Sequence, residues 1–180
     1  AGLVAHYAAI TAAVPLPLLA YHVPGRTGCR LTPETCLTLS RMEQIVGLKD
    51  ATGDAAFTAR VAALCGDALP LYAGCDDCIL PVLALGGRGA VSVASNLYPD
   101  TVTALCRAYR AGDTAQARRL QADLLPLCEA LFADVNPIPV KAALAGLGLC
   151  HDVLRLPLTP AGEDVRRRVR DATQKAGHPV

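Results

Sequence analysis

The chain is 180 residues long, with 52% hydrophobic and 18% charged residues, enough for a sizeable core and too apolar for a disordered segment. A formal net charge of +1 supplies no single-signed field to steer a nucleic acid or an anionic membrane surface, so neither partner is expected. The apolar stretch 1–23 is not read as a signal or spanning segment: it lacks a basic start, Pro15 and Pro17 interrupt it, and it falls short of the roughly 20 residues that a spanning helix needs.

In chain order, residues 2–13 read as a helix with Leu3, Ile10 and alanines on its apolar face. Residues 15–23 follow as a strand with its prolines confined to the start, and Pro24-Gly25-Arg26-Thr27-Gly28 as a turn-rich loop. Thr32 is the N-cap and Pro33 the first position of a helix that turns Cys36, Leu37 and Leu39 inward and stops near Arg41. A strand over 45–49 comes next, then a helix over 55–65 closed by Gly66, and a short strand over 69–74. Asp76 or Asp77 opens a helix that ends at Gly86-Gly87-Arg88-Gly89. A fourth strand covers 90–95, and Asn96 caps the helix after it. Beyond Tyr98 the periodicity is helical only, over 101–111, 114–132, 139–147 and 162–176, with breaks at Gly112-Asp113 and Asn136-Pro137-Ile138-Pro139. Strand and helix alternating four times predict an α/β fold with a parallel sheet and helices on its outer face. Residues 1–98 form that βα region and 99–180 a C-terminal helical domain.

The chain is organised around Gln44-Ile45-Val46-Gly47-Leu48-Lys49-Asp50-Ala51-Thr52-Gly53-Asp54. An apolar strand delivers one amine to its C-terminal end, and turn and cap residues follow. Burying an unpaired ammonium costs several kcal/mol, on the order known for buried ions. The usual escape is a lowered pKa, which makes the amine a nucleophile towards carbonyl carbon. The plainer alternative is a packed stem with a solvated or Asp50-paired charge. In a parallel βα array the chemistry gathers at the C-terminal strand ends, where Tyr21, Arg26, Lys49, Gly74 with Asp76, and 91–95 all fall. An amine, a phenol and a guanidinium on adjacent strands meet the needs of lysine imine chemistry on an anionic substrate.

Other features have plainer readings. Eight irregularly spaced cysteines are reduced thiols packed as small hydrophobes. The lone Cys75-Asp76-Asp77-Cys78 lacks the second pair or spaced histidines of a metal site, so no metal is expected. Gly86-Gly87-Arg88-Gly89 either cradles a phosphate or ends a helix. Arg166 to Arg170 alternate with acidic residues as a solvated helix face.

Four blocks stand in order: Tyr21-His22-Val23-Pro24-Gly25-Arg26-Thr27-Gly28, Gly47-Leu48-Lys49-Asp50-Ala51-Thr52-Gly53-Asp54, Gly86-Gly87-Arg88-Gly89-Ala90-Val91-Ser92-Val93-Ala94-Ser95-Asn96, and Asn136-Pro137-Ile138-Pro139-Val140-Lys141. Together the chain resembles the dihydrodipicolinate synthase (4-hydroxy-tetrahydrodipicolinate synthase) family of pyruvate-dependent class I aldolases. The resemblance implies the C-terminal half of a TIM (β/α)8 barrel, strands five to eight, followed by a C-terminal helical domain. It implies a cytoplasmic lyase of the diaminopimelate route to lysine, without a cofactor, usually a homotetramer. Lys49 would form the Schiff base with pyruvate and Tyr21 would relay protons. Arg26 would hold the carboxylate of aspartate semialdehyde, and Gly74 and Val91 would line the pocket, Val91 through its carbonyl. An N-acetylneuraminate lyase or 2-keto-3-deoxy sugar acid aldolase type and an inactive fragment remain open alternatives; Arg26 in its Pro-Gly-Arg-Thr-Gly setting favours the synthase.

Two departures stand out. His22 replaces the Asn usual in the resembled family. Only four strands are counted, where a TIM barrel has eight and about 250 residues. A fragment or processed form is therefore expected, since the chain starts with Ala rather than Met, or else an association that covers the open inner face.

Overall fold

The computed structural model describes residues 1–175. It contains two compact units, Ala1–Val91 and a second one from Ser92 onward. The first unit runs α1 (Gly2–Ala13), β1 (Leu18–His22), α2 (Pro24–Thr27), α3 (Pro33–Leu39), β2 (Ile45–Asp50), α4 (Ala55–Cys65), β3 (Leu71–Ala73), α5 (Ile79–Ala84) and β4 (Gly89–Ala90). The four strands are parallel and lie in the order β1-β2-β3-β4. A doubly wound sheet reverses its order at a switch point; unbroken progression is the arrangement of a barrel sector.

Local chemistry sets the boundaries. Pro15 and Pro17 have no N–H to give, so the ladder starts at Leu18, whose amide donates to the Gln44 carbonyl at 2.7 Å. Thr32 caps α3 by accepting from the Thr35 amide at 3.2 Å, and Asp54 caps α4 by accepting from the Phe57 amide at 3.0 Å. Cys36 and Leu39 are buried as expected, while Leu37 is only half-buried.

Three expectations are corrected. The segment after β1 is a single helical turn rather than a loop. Pro24 suits its first position, and Gly28 closes it at φ +67°, its amide donating to the Pro24 carbonyl. The fourth strand ends at Ala90 instead of Ser95. Val91 gives its amide to Ala73, the last residue of β3. Beyond it the serines bond to each other: Ser92 Oγ accepts the Ser95 amide at 2.8 Å, and Ser95 Oγ donates to the Ser92 carbonyl at 3.0 Å. Asn96 does not cap the next helix, which begins at Pro99 with Tyr98 at the N-cap position; its Nδ2 donates to the Val93 carbonyl instead.

The core of this unit lies on the outer face of the sheet. Ala20, His22, Leu48, Asp50, Leu71 and Ala73 are buried there, with Cys36 and Leu39 of α3, Val61 of α4 and Ile79 of α5. Each fully buried large aliphatic side chain is worth about 1.5–3 kcal/mol. The alternate positions Leu19 and Tyr21 are exposed on the inner face; Val46 is exposed where the β1–β2 register shifts between Leu18 and Leu19.

The second unit is helical: α6 (Pro99–Arg110), α7 (Thr114–Leu131), α8 (Ile138–Gly146) and α9 (Glu163–Lys175). Helix α7 packs against α6, α8 and α9, and α8 also packs against α9. Ile138, Ala142 and Ala161 form a cluster with Leu154, Leu158 and Val165. Arg166 departs from the solvated face expected of it: its Nη2 pairs with Asp152, and its Nε donates to the Ala161 carbonyl. The expected helix end at Ala176, and His178, lie outside the described residues. No helix among the described residues is long and apolar enough to cross a membrane.

Candidate active site

Lys49 occupies the last position but one of β2 and is half-buried. Its Cα partner on β1 is Tyr21, and its Nζ lies 4.0 Å from the centroid of the Tyr21 ring. The amine therefore lies against the phenol, within cation–π range when charged. The ion pair with Asp50 is not formed. Strand alternation sends Asp50 to the opposite face, where it is 5% exposed. There Oδ1 accepts the Thr52 amide at 3.0 Å and Oδ2 accepts the Thr58 hydroxyl at 2.7 Å.

Those bonds make the lysine's platform rigid. Thr52 Oγ1 accepts the Asp54 amide at 3.1 Å, and Asp54 in turn caps α4. The Asp-Ala-Thr-Gly-Asp run is thus a ladder of local caps between strand and helix.

Gly74 and Val91 flank the same strand ends. The Gly74 amide donates to the Asp50 carbonyl at 2.7 Å. A Cβ at residue 74 would fall 2.8 Å from the Ala51 Cβ and 2.9 Å from the Asp50 carbonyl oxygen, so only glycine allows this approach. Val91 is 40% exposed at the end of β4. Arg26 is exposed on α2, which begins two residues after the end of β1.

Sequence reading missed Tyr72. It is the Cα partner of Lys49 on the β3 side, so the lysine is flanked by a tyrosine on each neighbouring strand. A Cβ at Gly47 would lie 3.2 Å from the Tyr72 ring and 3.0 Å from Leu19 Cδ1; the absent side chain at Gly47 makes room for that ring. The available signal was parity: Tyr72 and Gly74 share a face.

Two alternatives fall away. The amides of Gly86, Gly87 and Arg88 donate to Leu83, Val82 and Leu71 carbonyls, and Arg88 pairs with Asp67 at 2.7 Å. This run ends a helix, and those donors are not free to cradle a phosphate. All eight cysteines are free. Burial pushes the Cys75 thiol up, and burial followed by Asp77 pushes Cys78 up to about 12, the opposite of an activated thiolate. No group of three or more metal-ligating side chains occurs among the described residues.

A sector of parallel (β/α) barrel with a lysine and a tyrosine paired at two strand mouths, joined to a helical unit, defines the class: the C-terminal half of a TIM barrel with a C-terminal helical domain. The chain belongs to the dihydrodipicolinate synthetase family, whose model matches residues 1–176. It is 46% identical over 162 residues, 90% of this chain, to the 4-hydroxy-tetrahydrodipicolinate synthase of Citrifermentans bemidjiense. Among solved structures, dihydrodipicolinate synthase from Thermotoga maritima is 37% identical with a TM-score of 0.94 and 98% of this chain covered. The chloride-inhibited dihydrodipicolinate synthase from Acinetobacter baumannii, complexed with pyruvate, is 40% identical, also with a TM-score of 0.94 and 98% of this chain covered. The chain spans 56% of the first relative's length, 61% of the second's and 60% of the third's.

Proposed function

We propose that this chain carries the Schiff-base half-site of a 4-hydroxy-tetrahydrodipicolinate synthase, which joins pyruvate to L-aspartate semialdehyde in the diaminopimelate route to lysine. The observation that carries this is Lys49 Nζ at 4.0 Å from the Tyr21 ring, at the end of a rigidly capped strand. The Lys49 amine adds to pyruvate C2 and the carbinolamine loses water. The imine then sheds a methyl proton to become an enamine. That carbon attacks the aldehyde, and the amine of the adduct displaces Lys49 from the imine carbon as the ring closes. Tyr21 is the group placed to take and return protons at the nitrogen. Arg26 is assigned the carboxylate of the semialdehyde, while Gly74 and the Val91 carbonyl shape the pocket floor. The reaction is assigned no cofactor, and the assembly is assigned as a homo-oligomer.

A second reading is favoured by length. The chain spans 56% of its relative from C. bemidjiense, and the inner face beside Lys49 is open. On that reading the 180-residue chain is inactive alone. Reduction with borohydride in the presence of pyruvate, followed by peptide mass analysis, separates the two. An adduct on Lys49 supports the imine chemistry; a folded sample without one supports the inactive reading. Release of pyruvate from keto-sugar acids points to the aldolase relatives.

A further inference from the structure

His22, the last residue of β1, is 3% exposed. Its ring stands edge-on to Phe57, with centroids 4.8 Å apart. Nε2 accepts the Leu31 amide at 3.0 Å, so the neutral ring carries its proton on Nδ1, which is buried without a hydrogen-bond partner. A buried orphan N–H is a cost, offset here by the bond on the other side of the ring.

That bond closes a loop. Between His22 and Leu31 lie α2 with Arg26, Gly28 in the left-handed region, and the exposed Cys29 and Arg30. Thr27 Oγ1 donates to Val23 and Cys29 carbonyls, both inside the same loop. The return leg reaches the core at Leu31, which is 7% exposed. The carbonyl of the same histidine accepts the Ala51 amide at 2.9 Å, two residues past Lys49. One residue thus joins the lysine's strand end through its main chain and the arginine's loop through its ring.

We infer that His22 is a positioning residue: by accepting the Leu31 amide, its ring clamps the Arg26-bearing loop to the strand ends that carry Tyr21 and Lys49. The function of Arg26 as carboxylate holder rests on the proposed reaction; the clamp rests on geometry alone. A glutamine offers an acceptor close to where Nε2 sits, whereas leucine fills the volume and accepts nothing.

The test uses the 180-residue chain unchanged, with His22→Leu and with His22→Gln. It follows amide exchange at Leu31 and tryptic cleavage after Arg26 and Arg30, with Arg41 and Arg60 as reference sites. His22→Leu is expected to speed loop cleavage and Leu31 exchange on the order of tenfold, as loss of a buried hydrogen bond raises local opening. His22→Gln is expected to restore protection, and the reference sites to be cut alike in all three. A loop cut no faster in His22→Leu overturns the inference, as does a His22→Gln loop cut as fast as His22→Leu. If His22→Leu does not fold, the unchanged protein decides. A Leu31 amide that exchanges as fast as those of Cys29 and Arg30 overturns the clamp, and one protected beyond them supports it. Failure of pyruvate trapping with a protected loop removes the reaction and keeps the clamp. Trapping with a loop indifferent to residue 22 does the reverse.

Discussion

Tyr21 and Lys49 illustrate what one side chain does at this strand mouth. The phenol ring covers one side of the amine at 4.0 Å, and its hydroxyl is the group to which the proposed reaction assigns proton transfer at the nitrogen. Removing that hydroxyl leaves the covering ring in place, so Tyr21→Phe isolates proton transfer from packing. General acid–base groups contribute about 10²–10⁴-fold. Tyr21→Phe is therefore expected to slow the rate of pyruvate trapping at Lys49 by at least about 10²-fold while leaving the circular dichroism spectrum unchanged. Stopped-time borohydride quenches measure that rate. A Tyr21→Phe chain that traps pyruvate as fast as the parent would remove the phenol from the chemistry and reduce it to a packing ring.

The β2–α4 connection decides whether the lysine points where it should, and it does so through two hydrogen bonds of different kind. Asp54 caps α4 from the surface side, and loss of such a cap costs about 1 kcal/mol. Thr58 donates to the carboxylate of Asp50, which is 5% exposed, and hydrogen bonds to buried charged groups are worth about 1.5–3 kcal/mol. Thr58→Val keeps the shape and removes the donor, so it is expected to lower the urea midpoint more than Asp54→Ala does. Equal or reversed losses would mean that Asp50 finds a replacement donor, and the rigid-platform account would fail. This connection also shows which parts of the fold can be read from sequence. The 45–49 strand, the Asp54 start and the Gly66 stop of α4 were legible because apolar run, cap and breaker are all local. Pro24-Gly25 signalled a turn and gave a helical turn, because proline at the first position serves either. The length of β4 was not legible, since it depends on β3 having run out of residues by Ala73. Likewise His22 could be flagged as unusual, but its bond to Leu31 spans a loop and has no periodic signal. Tyr72 sits inside β3 rather than at its end, so position along the strand does not mark it. Its place beside Lys49 depends on inter-strand register.

At the scale of the whole chain, the apolar surface left exposed around the sheet sets what the chain does in solution. Leu16, Leu19, Tyr21, Val46 and Val91, in or next to the strands, are exposed by 60%, 41%, 42%, 46% and 40%, and apolar surface of this kind is ordinarily covered by a second layer. The relative from C. bemidjiense is longer, this chain covering 56% of it. Most of these side chains have less than half of their surface left to bury, so each contributes about 1 kcal/mol on being covered. The cost of association is at least about 4 kcal/mol. A pair covers these side chains on both copies, about 10 kcal/mol in all, which exceeds that cost by at most about 6 kcal/mol, so the 180-residue chain on its own is expected to self-associate weakly and reversibly, no tighter than roughly tens of micromolar, rather than as a tight dimer. Val46 is the place to test this. It is exposed and has no Cα partner where the β1–β2 register shifts between Leu18 and Leu19, so a lysine there disturbs no register pair and puts a charge on that surface, a device that natural sheets use against pairing. Light scattering over a concentration series should show the average mass rising for the parent and staying flat for Val46→Lys, with apolar dye binding reduced in step. A parent chain that stays monomeric at the highest concentrations and binds no dye would show that this surface is covered from within. An undiminished association in Val46→Lys would place the contact elsewhere.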